Sequence, residues 1–219
     1  MDLSELFKNI ANAIRNKKGT TEPINATSFP DEISNFQTEK LIKALSDTLI
    51  SYGGGVKIFT GVRANSNIKF KVRFRPIQQC NGGTIVGFKE TEAKALRILV
   101  YNGKFYLDYG SGVGGNRISG GTAEFGGTYE VEVGNRYIKD LTTGEMIISA
   151  DPVADFSYDN ILETGSCVLY YLKIYENDEL VRDFVPIQTV NGKATLFERL
   201  EQKIYEPNGI WYNGYSAGY

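Results

Sequence analysis

The sequence predicts a mainly β protein, an antiparallel β-sandwich or jelly roll preceded by a short α-helical N-terminal module. Three observations carry that expectation. Near Gly53-Gly54-Gly55 the apolar residues change from a three-to-four-residue period to a period of two. About ten short strand-like runs then follow at regular spacing with no long helix between them. The 24 glycines among 219 residues gather in turns and in one long stretch. Residues 1–55 are thus expected to form a helical assembly module and residues 56–219 the β domain.

Taken in order, Leu3, Leu6, Phe7, Ile10 and Ile14 recur at helical steps, Asp2 with Glu5 suits a capping box, and Gly19 after Lys17-Lys18 suits a stop. This predicts one amphipathic helix of about four turns. A second helix is expected from Ser28 as cap, through FPDEISNF and on to Leu41, Leu45 and Leu49. Such short helices expose an apolar stripe and need a surface to dock on. Beyond the glycine triplet, Ile68, Phe70, Val72 and Phe74 alternate with Lys69, Lys71, Arg73 and Arg75, as in a strand with one buried and one wet face.

The segment LRILVYNGKFYLDY predicts a hairpin with a two-residue turn at Asn102-Gly103. Its register sets Val100 against Phe105, Ile98 against Leu107 and Leu96 against Tyr109 on one face, with Leu99–Tyr106 and Arg97–Asp108 on the other. A second hairpin is expected to turn at Gly134-Asn135, placing Val131 opposite Ile138 and Glu130 opposite Lys139. TIVGF, EMIIS, CVLYYLKIYE and LVRDFVPIQ are further strands, and Asn191-Gly192 marks another turn. The glycine-rich stretch from Gly110 to Gly127 is expected to be a surface loop.

Composition narrows the chemistry. With no histidine, relays of the Ser-His-Asp or Cys-His kind, imidazole-ligated metals and a switch near neutral pH are excluded. A formal charge of -2 gives no bulk attraction for nucleic acid or an anionic membrane. No apolar run approaches the ~20 residues that span a bilayer, and MDLSELFKNI lacks the basic flank of a signal peptide. A soluble chain without membrane insertion is expected. Cys80 and Cys167 fit neither a zinc site nor a disulfide framework and are expected to be free, partly buried thiols. No cofactor is expected.

Two segments carry a resemblance. IANAIRNKKGTTEPINATSFPDEI resembles the short N-terminal module that opens many structural proteins of tailed bacteriophages. LYYLKIYENDELVRDFVPIQTVNGKATLFERLEQKIYEPNG is similar to the last strands of concanavalin-like (laminin-G-like) domains in phage tail, baseplate and fibre proteins. The second likeness lies in Lys173-Ile174-Tyr175, Leu180-Val181-Arg182-Asp183-Phe184, Pro186, Leu196-Phe197-Glu198, Lys203-Ile204-Tyr205 and Asn208-Gly209. Phe197-Glu198 departs from the usual Tyr-Asp, as does the aromatic ending WYNGYSAGY. The resemblance implies a non-enzymatic virion protein made in the bacterial cytoplasm, often a homotrimer, whose partners are itself, other virion proteins and host-surface polysaccharide. A head fibre or decoration protein with no receptor, and a polysaccharide depolymerase, are the alternatives it leaves.

The candidate residues follow. Leu3, Leu6, Phe7, Ile10 and Ile14 form the assembly anchor. Lys69, Lys71, Arg73 and Arg75 form a basic stripe that either grips an acidic glycan or is a solvated face paired with the acidic strand Thr128-Glu130-Glu132. Trp211, Tyr212, Tyr215 and Tyr219 could stack on sugar rings or pack between subunits. Glycosidases of the concanavalin-like fold carry alternate carboxylates on one strand. Glu130-Val131-Glu132 approaches that pattern, but Asn135 stands where the third acid belongs, so no catalytic residue is assigned. Asp151, Asp155 and Asp159 lack the spacing of a calcium loop, so no metal ligand is assigned either.

Overall fold

The computed structural model describes residues 3–18, 21–28, 49–51, 56–77, 84–91, 94–111, 117–152, 157–158, 161–165, 167–188, 194–205 and 211–213. The chain divides into two compact units, Met1–Ala44 and Leu45–Tyr219. The first unit contains α1 (Leu3–Lys18), the predicted amphipathic helix of about four turns; Asp2 and Gly19, expected to cap and stop it, lie outside the described residues. Within it Ala11 and Ile14 are buried against Ile10 and Ile24, while Phe7 keeps 41% of its surface exposed. Ile14, at the end of the expected anchor stripe, is therefore covered by its own unit. The side chains of Leu3 and Leu6 lie outside the described residues.

Ser28, expected to cap a second helix, ends a 3-10 turn over Ala26–Ser28. Its hydroxyl donates back to the Asn25 carbonyl at 2.7 Å. The body of that expected helix lies outside the described residues, but its last residue, Leu49, is not helical. Leu49 opens a strand whose main chain is paired on both sides, and such tertiary pairing overrides a local helical spacing. The β unit accordingly begins before the Gly53-Gly54-Gly55 triplet.

In chain order the strands begin with β1 (Leu49–Ser51), β2 (Val56–Phe59), β3 (Ala64–Asn65), β4 (Ile68–Pro76), β5 (Thr84–Thr91) and β6 (Lys94–Tyr101). Next come β7 (Lys104–Ser111), β8 (Arg117–Thr122), β9 (Tyr129–Gly134), β10 (Tyr137–Asp140), β11 (Met146–Ser149) and β12 (Ser157–Tyr158). The last are β13 (Ile161–Thr164), β14 (Cys167–Glu176), β15 (Glu179–Gln188), β16 (Ala194–Glu198), β17 (Lys203–Tyr205) and β18 (Trp211–Asn213). A ten-stranded sheet takes the order β11-β10-β9-β4-β14-β15-β16-β17, with β1 against the start of β14 and β18 against β1. A six-stranded sheet takes the order β2-β13-β5-β6-β7-β8, and β3 pairs with β12. All these pairings are antiparallel.

Both large sheets feed one hydrophobic core. Phe70, Val72, Phe74, Val133 and Leu172 from the larger join Phe88, Leu96, Ile98, Phe105 and Leu107 from the smaller. The Phe105 ring meets Phe74 edge-on at 6.5 Å and Tyr129 at 5.0 Å, so aromatic contacts link residues of the two sheets. Burying a side chain of this size is worth ~1.5–3 kcal/mol, which explains why one face of β4 is wholly apolar.

The β6–β7 register is the predicted one at every position named above. Asn102 (φ 48) and Gly103 (φ 73) take the two positive-φ positions of its turn. The β9–β10 hairpin differs: Gly134 pairs with Tyr137, the turn is Asn135-Arg136, and Val133 faces Ile138 while Glu132 faces Lys139. Gly134 is needed beneath the Tyr137 ring, where a Cβ would come within 2.5 Å, and Arg136 supplies the positive φ. The expected loop from Gly110 to Gly127 contains β8, an edge strand. Its glycines serve close approach, because a Cβ on Gly120 would stand 2.5 Å from the Ile147 carbonyl oxygen of β11.

Candidate functional site on the outer face of the large sheet

Strand β4 alternates strictly. Ile68, Phe70, Val72 and Phe74 are buried, so Lys69, Lys71, Arg73 and Arg75 must stand on the opposite face. Two neighbours decide what those cations meet. On one side β9 sets Glu132 opposite Lys71 and Glu130 opposite Arg73. On the other side β14 sets Tyr175 opposite Lys69, Lys173 opposite Lys71 and Tyr171 opposite Arg73. The basic stripe thus runs between an acidic strand and a tyrosine-rich one.

The first two cations are engaged. Lys69 hydrogen-bonds Asp178 in the β14–β15 turn, and that bond holds its ammonium above the ordinary lysine range. The turn residues Asn177 (φ 49) and Asp178 (φ 69) both take positive φ, which swings the Asp178 carboxylate over the end of β4. Lys71 Nζ lies 3.4 Å from Glu132. Both lysines also approach the Tyr175 ring, at 5.8 and 5.2 Å. Pairs this accessible contribute ~0.2–1 kcal/mol each and chiefly neutralise the face.

The tyrosines tie the acidic strand down as well. The Tyr137 hydroxyl donates to Glu132 and the Tyr171 hydroxyl to Glu130, both at 2.8 Å. Burial of each ring, reinforced by its carboxylate acceptor, pushes both phenols well above the usual tyrosine range. The β4 positions paired with Glu130 and Glu132 are Arg73 and Lys71, so each carboxylate stands beside a cation. The arrangement is suited to holding a polar ligand by contact.

Arg73 is exposed and lies over the Tyr170 ring at 5.3 Å. Lys173 lies over the Tyr171 ring at 5.9 Å. Arg75 is partly exposed, opposite the buried Val168. The aromatic tail is placed in the same sheet, since β18 pairs with β1 and β1 with β14. Three strand spacings, ~14 Å, therefore separate its backbone from β4. Tyr212 pairs with Ile50 and Trp211 with Ser51 in that ladder; Tyr215 and Tyr219 lie outside the described residues.

Tyr137, Tyr170, Tyr171, Lys173, Tyr175 and Asp178 were not among the expected site residues. The segment CVLYYLKIYE showed Tyr170, Tyr171, Lys173 and Tyr175 as part of a strand, but their meeting with β4 depends on a pairing about a hundred residues distant. Asp151 is exposed, and Asp155 and Asp159 lie outside the described residues. Among the described residues no group of three or more metal-ligating side chains comes together, and no helix is long and apolar enough to cross a membrane. Cys167 is buried, its thiol donating to the Ile85 carbonyl oxygen at 3.5 Å; Cys80 lies outside the described residues. A scan against protein-family models finds no match to this chain, and a search of curated proteins finds none either.

Proposed function

We propose that the chain is a structural component of a tailed-phage or prophage particle, with the β unit forming a concanavalin-like jelly-roll sandwich that contacts host-surface glycan. The helical unit, through Leu3, Leu6, Phe7 and Ile10, attaches it to other virion proteins, and a homotrimer presents several copies outward. Weak contacts repeated in this way gain avidity. The observation that supports a contact role is the outer face of β9, β4 and β14, where cations and tyrosine rings alternate over a tightly packed core. The motif likeness at both ends of the chain supports the phage setting.

The test is competition. Purified protein should bind polysaccharide extracted from the host envelope and should lower phage adsorption in proportion to its concentration. Absence of both effects refutes the receptor role. A second reading, a head fibre or decoration protein with no receptor, draws its support from the neutralisation of Lys69 by Asp178 and Lys71 by Glu132. In that case the protein labels the particle but leaves adsorption unchanged.

A further inference from the structure

Strand β14 is irregular at one place. Phe74 of β4 pairs with Leu169 and the next residue, Arg73, pairs with Tyr171, so Tyr170 is an extra residue. Leu169 and Leu172 are both buried, and two consecutive tyrosines between them are left partly exposed. A bulge of this kind re-aims side chains out of the regular alternation. Here it creates a local group of Tyr170, Tyr171, Arg73 and Lys173.

Two cations of this group, Arg73 and Lys173, stand opposite carboxylates in the ladders without a direct ion pair. Carboxylates engage Lys69 and Lys71, but among the described residues neither Arg73 nor Lys173 has a carboxylate partner. Glu130, across from Arg73, accepts the Tyr171 hydroxyl. Asp183, across from Lys173 in β15, lies 3.6 Å from Arg199. Lys173 also faces Lys71 directly, and like charges opposite one another are unfavourable, an effect that Glu132 beside Lys71 reduces. A tyrosine ring orients a cation without cancelling its charge, and a guanidinium so held still offers its fork of N–H donors to a carboxylate or phosphate.

We infer that the β14 bulge builds a subsite for an acidic polysaccharide. Arg73 and Lys173 contact its anionic groups, and Tyr170 and Tyr171 act as positioning residues that hold those cations toward solvent. The inference deepens the glycan-contact reading and rests on it only for the biological ligand. Its ligand chemistry is a polyhydroxylated chain bearing carboxylates or phosphates, and the test separates those two sources.

The full chain is titrated calorimetrically with polygalacturonate, with poly(glycerol phosphate) and with neutral dextran. At least one acidic polymer should bind, with an affinity that falls as salt is raised, and dextran should not. Arg73→Ser and Lys173→Ser should each weaken binding about tenfold, as expected for loss of one charge-assisted contact. Arg73→Lys should fall between Arg73→Ser and the parent. Lys104→Ser, which removes an exposed cation from β7 in the other sheet, should bind within about twofold of the parent. Unchanged melting temperatures show that the variants are folded, and Arg73→Lys keeps the test decisive where a serine variant is not. Binding of neither acidic polymer, or equal binding by all variants, overturns the subsite. Host polysaccharide held equally well by the Arg73→Ser, Lys173→Ser double variant overturns the subsite and leaves the wider glycan reading. Residue-dependent polygalacturonate binding without any host polysaccharide binding does the reverse.

Discussion

Replacing Asp108 with alanine should be among the most damaging single changes in the β unit. Asp108 in β7 stands opposite Arg97 in β6 and Arg117 in β8. Arg97 donates from Nε to Oδ2 at 2.9 Å and from Nη1 to the Thr84 hydroxyl at 2.9 Å. Arg117 donates from Nε and Nη2 to the same carboxylate at 2.7 and 2.9 Å. The side chains of Arg97 and Asp108 are only 3% and 6% exposed, whereas that of Arg117 is 51% exposed. Removing Asp108 leaves the Arg97 charge buried without its carboxylate, a change that costs about 3–5 kcal/mol. That is a large share of a typical total stability of about 5–15 kcal/mol. At about 2–4 °C per kcal/mol for a chain of this size, the melting temperature should fall by roughly 6–20 °C.

The same geometry predicts that Arg117→Ala costs at most about 1 kcal/mol, because its head group is half in water. The double variant Arg97→Met, Asp108→Leu should recover most of the loss, since a buried pair exchanged for apolar groups of similar volume is often near neutral. Urea unfolding followed by far-ultraviolet circular dichroism measures all four proteins. A cost below about 1 kcal/mol for Asp108→Ala, or a double variant no more stable than Asp108→Ala, refutes the reasoning.

Three further outcomes follow from other elements. Gly103→Ala should cost about 1 kcal/mol in the same assay from backbone conformation alone, because Gly103 has φ +73 and a Cβ there would meet nothing within 4 Å; no measurable cost contradicts the turn assignment. Tyr137 and Tyr171 hold their protons more tightly when folded, so their contribution is complete below the ordinary phenol value of about 10 and is lost as pH rises through the folded values. The combined Tyr137→Phe, Tyr171→Phe variant should therefore show a shallower alkaline loss of stability than the parent, and parallel curves above about pH 10 would falsify that assignment. A chain beginning at Leu45 should fold as the intact β unit, whereas one beginning at Val56 lacks β1, which pairs with both β14 and β18, and should melt lower; equal melting points would place β1 outside the cooperative unit.

What the sequence made legible was local. The β6–β7 hairpin could be registered in advance because Asn102-Gly103 suits only one kind of tight turn and period two then sorts every following side chain. The pairing of the basic stripe with Glu130 and Glu132 was one of two readings available, and cross-strand charge complementarity supports it. Glycine was the misleading signal. Gly120, Gly121 and Gly134 suggested a loop and a turn, yet each sits where a neighbouring side chain or carbonyl leaves no room for a Cβ.

Long-range pairing was the other blind spot. Nothing local to Leu49 announces that its strand joins β14 to β18. Consecutive Tyr170 and Tyr171 between two inward leucines did break the alternation, which is the mark of a bulge. Their meaning appeared only when β4 supplied Arg73 over one ring.

Whether this chain is part of a particle is best tested with gold-labelled antibody against the β unit, applied to intact phage particles released from the host that encodes it. The account predicts gold at one repeated position on each particle, lost when residues 1–44 are deleted. Particles that carry no label, while free protein in the same lysate does, contradict it.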